Sequence, residues 1–221
     1  MNSQKLETIR EGDFVARISK PDGSSTYPVM LLLHGLTGDE DAMWVFTRKL
    51  SEQFILISPR GLFNSPYGGY SWNSNNLQTW PSVDEFSAAI EKIMDKINPG
   101  FIENGDNSKL YLIGFSQGAA LTYTLALTYP ERVASFAGLS GFLPKEEEPL
   151  IINKPLIGIS GYIAHGIKDT LVPVEKARHS VKRLKEAGAE VVYCEKDTGH
   201  KLSAPCFREM ESFFLKQVLN S

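Results

Sequence analysis

Five residues, Gly114-Phe115-Ser116-Gln117-Gly118, hold one hydroxyl between two glycines. The apolar run Leu110 to Ile113 leads into them, and an Ala-rich segment of helix-forming residues follows. This is the pattern of a strand that turns sharply into a helix with a nucleophile at the turn. Such a turn strains the backbone of its central residue and brings the flanking residues close together. Gly114 and Gly118 remove the β-carbons that would collide, and Ala119 and Ala120 keep the helix start small. Ser116 is therefore expected at the carboxyl end of a strand. The backbone N–H groups of the helix start would face a developing oxyanion.

A serine hydroxyl is a weak nucleophile until a base takes its proton. In this architecture the chain order is serine, then acid, then histidine. The four histidines are His34, His165, His179 and His200. His34 precedes the serine and is expected to brace its own loop. His179 lies in the helical stretch VEKARHSVKRL and is expected at the surface. His165 follows a strand but precedes every nearby acid. His200, in Asp197-Thr198-Gly199-His200 between the last strand and the last helix, is the candidate base. Asp169, in AHGIKDTLVPVEKA, is the candidate acid, because a separate loop can reach the far ring nitrogen. Its competitor Asp197 is expected to form an Asx turn that shapes the His200 loop. The oxyanion donors would be the backbone N–H of Gln117 and of Leu36. Leu36 lies in the loop of LLLHGLTG (31–38), where Gly35 and Gly38 let the chain turn its N–H groups inward.

These residues need elements to hold them. Strand-like runs cover residues 14–18, 29–34, 54–58, 110–115, 133–139, 156–164 and 190–194. Helical patterns lie at 41–52, 83–97, 117–129, 174–186 and 203–220, with clear spacing in Phe86, Ile90, Ile93 and Ile97. Apolar strands alternating with helices predict a mostly parallel sheet of about seven strands, covered on both faces. Ligands of such sheets bind at the carboxyl ends of the strands. Two connections are long. Residues 59–80 are rich in Gly, Asn, Ser and aromatics (Phe63, Tyr67, Tyr70, Trp72, Trp80), which predicts an ordered, functional loop. Residues 141–154 carry the acidic run Glu146–Glu148, expected as a solvated face. Tyr70 and Trp72 from the first loop, with Phe142 and Leu143 from the second, are the candidate substrate-binding residues.

Composition narrows the classes. The chain has 221 residues, 42% hydrophobic and 22% charged, with a formal net charge of −3. One domain spanning 1–221 is expected. The charge gives no footprint for nucleic acid and no polybasic membrane patch. The N-terminus has no apolar leader, and no run reaches the roughly 18–20 residues of a membrane span. Two cysteines, Cys194 and Cys206, make no disulfide framework. Both are expected as reduced thiols in a cytoplasmic protein, with a Cys194–Cys206 bridge as the alternative. No motif suggests a metal.

Four motifs together carry a resemblance: LLLHGLTGDE (31–40), LIGFSQGAALTYTLAL (112–127), AHGIKDTLVPV (164–174) and DTGHKL (197–202). The chain resembles the bacterial carboxylesterase/phospholipase group of the α/β-hydrolases, which includes the acyl-protein thioesterases. The resemblance spans nearly the whole chain. It implies an α/β-hydrolase fold and a serine hydrolase that needs no cofactor. It also implies Ser116, Asp169 and His200 as the triad, with Leu36 and Gln117 as oxyanion donors. Larger hydrolases of this fold insert a cap after the strand corresponding to 133–139; residues 141–154 are too few for one, so an open site is expected. The segment GGYSWN (68–73) is more glycine-rich than in the eukaryotic thioesterases. The expected activity is hydrolysis of small-molecule carboxylic esters with small to medium acyl groups, through an acyl-enzyme. Thioester or lysophospholipid hydrolysis on the same triad is the alternative, and a binding module that keeps the fold is the alternative from another class. No stable membrane insertion is expected, and a homodimer is left open.

Overall fold

The alternating apolar runs build an eight-stranded sheet in a computed structural model that describes residues 6–47, 49–74, 79–98 and 100–219. Its strands are β1 (Leu6–Glu11), β2 (Phe14–Ser19), β3 (Tyr27–Leu33), β4 (Ile55–Pro59), β7 (Gly105–Phe115), β8 (Val133–Leu139), β9 (Ser160–Gly166) and β10 (Glu190–Lys196). A separate hairpin pairs β5 (Phe63–Asn64) with β6 (Tyr70–Ser71). The order in the large sheet is β1-β2-β4-β3-β7-β8-β9-β10. β1 and β2 pair antiparallel, as do β2 and β4, and every later pairing is parallel.

Alternation along each strand feeds two cores. Leu31, Leu33, Ile55, Ile57, Leu110 and Leu112 face one side. Met30, Leu32, Leu56, Tyr111 and Ile113 face the other. On the first side lie α1 (Ser87–Lys96), α2 (Gln117–Thr128), the short α3 (Glu148–Ile151) and α4 (Val174–Glu186). On the second lies α5 (Ala204–Leu219), through Met210, Phe213 and Phe214. The α1 stripe of Ile90 and Ile93 points inward, and a capping box of Ser82 and Glu85 opens its leading turn. α2 is buried over nearly its full length, and its alanines and Gly118 let it lie close against the sheet. Because β3, β7, β8, β9 and β10 run parallel, their carboxyl ends share one rim. Leu33, Phe115, Gly166 and Lys196 are the last residues of β3, β7, β9 and β10.

Several expectations are corrected. The mostly parallel sheet is present with eight strands among the described residues, where about seven were expected; β1, LETIRE, is exposed along nearly all of its length and carries no apolar run to announce it. The helix expected at 41–52 is a set of turns with two short 3₁₀ segments, Trp44–Phe46 and Leu50–Glu52. Side chains there take backbone partners: Asp41 N–H donates to Asp39 Oδ1, and Lys49 N–H to the buried Glu211 carboxylate. The strand expected at 156–164 is β9 and begins at Ser160, because residues 156–159 form a turn with Ile159 N–H on Leu156 O. The acidic run is not wholly solvated. Glu147 is buried and receives the Arg183 guanidinium at 2.9 Å, and Arg183 also reaches Glu148. Cys194 and Cys206 are disulfide-bonded rather than reduced, joining β10 to α5. With the free thiols goes their support for a cytoplasmic location, since lasting disulfides are rare in reducing compartments. Among the described residues no helix is long and apolar enough to cross a membrane. Residues 75–78 of the long loop, and Asn220 at the end of the last expected helix, lie outside the described residues.

Candidate active site

Ser116 follows the last residue of β7 and caps α2 with φ 53° and ψ −113°, a left-handed conformation that costs a non-glycine residue energy. The surrounding packing enforces it. Its N–H donates to Leu139 O at 2.8 Å, and α2 departs immediately. A β-carbon on Gly114 would overlap the Gly118 carbonyl and the Thr122 hydroxyl, and one on Gly118 would overlap the carbonyls of Leu33 and His34. Both glycines are thus required by close approach, the second by the end of β3 rather than by its partner in the motif.

His200 Nε2 lies 3.1 Å from Ser116 Oγ, and His200 Nδ1 lies 2.7 Å from Asp169 Oδ2. The loops that carry Asp169 and His200 are tied together: Ile167 N–H donates to Lys196 O, and Lys168 N–H to Thr198 O. Gly166 is needed there, because a β-carbon would overlap the carbonyls of Thr198 and Gly199. The Asp169 side chain is fully buried. Its Oδ1 accepts the N–H groups of Leu171 and Val172, both at 2.9 Å, which leaves Oδ2 aimed at the histidine. His165 is buried beside it. Its Nε2 donates to Val172 O at 2.8 Å and stands 3.4 Å from Asp169 Oδ2. Burial pushes the His165 pKa down, so a second positive charge does not compete for the acid. His179 is half exposed, as expected. Asp197 forms no Asx turn; it is exposed and paired with Lys168 at 2.9 Å.

Neither the N–H of Leu36 nor that of Gln117 has an acceptor among the described residues. Both residues line the cleft that holds Ser116 and His200. His34 is fully buried and braces the Leu36 loop: Nδ1 donates to Gly35 O at 2.7 Å, and Nε2 accepts the N–H of Gly61 at 2.9 Å. Burial lowers its pKa and keeps the ring neutral, which the acceptor role of Nε2 requires. Below the loop, Arg60 makes a two-pronged pair with Glu40 at 2.5 and 2.6 Å, and that bond holds the Glu40 carboxyl below its usual range.

The cleft has a volume of about 780 Å³. Its walls include Tyr67, Asn73, Trp80, Phe142, Leu171 and Val172. Of the four substrate-binding candidates, only Phe142 lines it. Tyr70, Trp72 and Leu143 are corrected to supporting positions. The Tyr70 hydroxyl accepts from Arg60 at 3.0 Å, and its ring lies 4.5 Å from that guanidinium. Trp72 is 1% exposed, and its Nε1–H donates to His34 O at 2.7 Å. Leu143 is buried, with its N–H on Ser180 Oγ. Tyr67 and Trp80 are among the aromatic residues of the long loop, but composition does not say which ring faces the cleft. Tyr67 is carried toward it between β5 and β6, and Trp80 packs edge-on against Phe142 at 4.6 Å. The Gln117 side chain grips residues 71–73. Among the described residues no group of three or more His, Cys, Asp or Glu could hold a metal ion.

A family profile described as phospholipase/carboxylesterase matches residues 15–218. Acyl-protein thioesterase 1 of Debaryomyces hansenii is 27% identical over 207 residues, covering 84% of this chain and 85% of its own length. Carboxylesterase SOBER1 of Arabidopsis thaliana is 29% identical over 147 residues, 63% of each chain. The crystal structure of the Bacillus cereus carboxylesterase superposes with a TM-score of 0.80 at 19% identity, covering 98% of this chain and 96% of that one. At that identity the likeness is one of fold.

Proposed function

The chain belongs to the phospholipase/carboxylesterase family and is a serine hydrolase acting on esters, and from that premise we propose that Ser116, His200 and Asp169 carry the reaction. His200 Nε2 takes the Ser116 proton as Oγ attacks the ester carbonyl. The Nδ1–H stays on the imidazole, held by Asp169 Oδ2, whose charge stabilises the imidazolium. The N–H groups of Leu36 and Gln117 receive the oxyanion. His200 Nε2–H then protonates the alcohol oxygen, the C–O bond breaks and the acyl group stays on Ser116. Water enters, gives its proton to His200 Nε2 and attacks the acyl carbon. Ser116 Oγ leaves with that proton and the acid is released.

The observation that carries this reading is the continuous hydrogen-bonded line from Asp169 Oδ2 through His200 to Ser116 Oγ, at 2.7 and 3.1 Å. A pure binding module has no need of it. We propose carboxylic esters with small to medium acyl groups as substrates, on the size of the cleft and its walls of Trp80, Phe142, Leu171 and Val172. Thioesters are the second reading, on the relative named acyl-protein thioesterase 1. One domain across 1–221 is supported by the single large sheet with a core on each face. The test is steady-state turnover of p-nitrophenyl esters of increasing chain length, beside acyl-CoAs and lysophospholipids, by wild type and Ser116→Ala. Ser116→Ala is expected to lose on the order of 10⁶ in turnover. Retention within tenfold, in a clean preparation, removes Ser116 from the nucleophile role.

A further inference from the structure

The two candidate oxyanion donors sit on different elements. Leu36 belongs to the loop after β3, and Gln117 starts α2. Beyond Leu33 and Gly114, which pair in the β3–β7 ladder, no hydrogen bond joins the two segments directly among the described residues. They are joined through a third segment, Ser71-Trp72-Asn73. Gln117 Oε1 accepts the backbone N–H of Trp72 at 3.1 Å, and Gln117 Nε2 donates to Ser71 Oγ and Asn73 Oδ1, both at 3.0 Å. From this grip the indole crosses to the other donor. Its Nε1–H is on His34 O at 2.7 Å, and its ring lies 4.7 Å from the His34 ring at 33°.

That ring aims the Leu36 N–H. The carbonyl of Gly35 and the N–H of Leu36 belong to one planar trans peptide, so they point in opposite directions. His34 Nδ1–H and the Gly38 N–H, at 2.7 and 3.0 Å, together hold the Gly35 carbonyl, and the Leu36 N–H is thereby turned the other way. The indole braces the peptide before this one and one face of the His34 ring, whose Nε2 is held by the Gly61 N–H, while Thr37 and Gly38 bond to Tyr70, the residue just before the gripped segment. We propose that Trp72 is a positioning residue, gripped by the Gln117 side-chain amide, that sets the spacing and aim of the two oxyanion donors. The inference rests on the assignment of those donors above. Nothing in it needs Trp72 to touch substrate, and Trp72 does not line the cleft.

A core residue that only fills space would change stability and leave the chemical step alone. Trp72→Phe keeps an aromatic ring and removes the indole N–H. Gln117→Met keeps the length of the side chain and removes the amide, while the Gln117 backbone N–H remains. For each variant, kcat and KM for p-nitrophenyl butyrate, the second-order rate of inactivation by a fluorophosphonate and the thermal melt are measured, with Ser116→Ala as control. Removing a true oxyanion donor costs about 10²–10³, and a donor displaced rather than lost should cost less, about 10–100-fold. The expected result is a kcat lower by about that factor, KM within about threefold and inactivation slowed in parallel, because the phosphonyl oxygen uses the same donors. Turnover and inactivation within twofold of wild type in a folded Trp72→Phe, or a change confined to KM or to the melt, overturns the proposal. If Trp72→Phe does not fold, Gln117→Met decides by the same criteria. Turnover retained by Ser116→Ala sinks the reaction scheme itself. An inactive Ser116→Ala beside unaffected Trp72→Phe and Gln117→Met sinks only the positioning role.

Discussion

Asp169 and Asp197 are two carboxylates in loops near His200, and burial separates their roles. Asp169 is shielded from water, with one oxygen satisfied by two backbone N–H groups and the other on His200 Nδ1. Asp197 is 65% exposed in its side chain and pairs with an equally exposed Lys168, an arrangement worth little in water. Asp169→Asn is therefore expected to lower turnover by about 10⁴, the cost of the same change in the serine protease case. Asp197→Asn should stay within a few-fold. Steady-state kinetics of the two variants decides it, and a crippled Asp197→Asn would reverse the assignment. The chain order of the elbow pattern favoured Asp169, because a separate loop can reach the far ring nitrogen. The same reasoning could not find His165, whose contact with Val172 O depends on how the 166–172 loop folds back over β9.

At the scale of elements, the turn from β7 into α2 and the segment between β10 and α5 carry the most constraint. Gly118 faces the backbone carbonyls of Leu33 and His34, which belong to β3 and the loop after it and cannot rotate away. Gly118→Ala should therefore push α2 off the end of β3. An overpacked site of this kind costs about 1–3 kcal/mol or more. A urea titration should show that loss, with a fall in turnover, because the same shift moves Gln117 N–H from Leu36 N–H. An unchanged midpoint would mean that helix and strand have slack between them. His200 sits in a segment closed at both ends by the Cys194–Cys206 disulfide, which spans a sequence separation of 12. Closing a loop of that length removes unfolded-state entropy worth about 3 kcal/mol. A Cys194→Ser/Cys206→Ser double variant should be less stable by about that amount in urea while still turning over ester at 25 °C, since the triad contacts do not involve sulfur. Equal stability of the two proteins would show that the bridge adds nothing. Two cysteines in 221 residues left the bridge only as the alternative reading, because the meeting of β10 and α5 is what brings the thiols together.

Across the whole molecule, two imidazoles are buried outside the catalytic line. Burial lowers the pKa of both His34 and His165. Their unfolded value is about 6.5. Below that pH the unfolded chain binds protons that the folded chain refuses, so stability falls as pH falls from about 6.5 toward the depressed folded values. The carboxyls held low, such as Glu40 under Arg60, add their own loss only further down, below their ordinary value of 4.5. Unfolding free energies from urea titrations should thus decline already between about pH 6.5 and 5, and a flat profile there would mean that the two rings are not held neutral. What the sequence determined by itself was local or periodic. The elbow glycines and the alternation of strands and helices follow from steric need and repeat length, which neighbouring residues express; the order of Ser116, Asp169 and His200 and the donors proposed at Leu36 and Gln117 were read from the elbow pattern and the resemblance. The tertiary structure decided what depends on distant segments meeting. It turned Trp72 and Tyr70 inward as supports and brought Tyr67 and Trp80 to the cleft. It also aimed the Gln117 amide at residues 71–73, joined Cys194 to Cys206 and broke the 41–52 helix against Glu211. Each of these is a contact between residues twelve or more apart in the chain or a choice of which way a side chain faces, and hydrophobicity and spacing are blind to both.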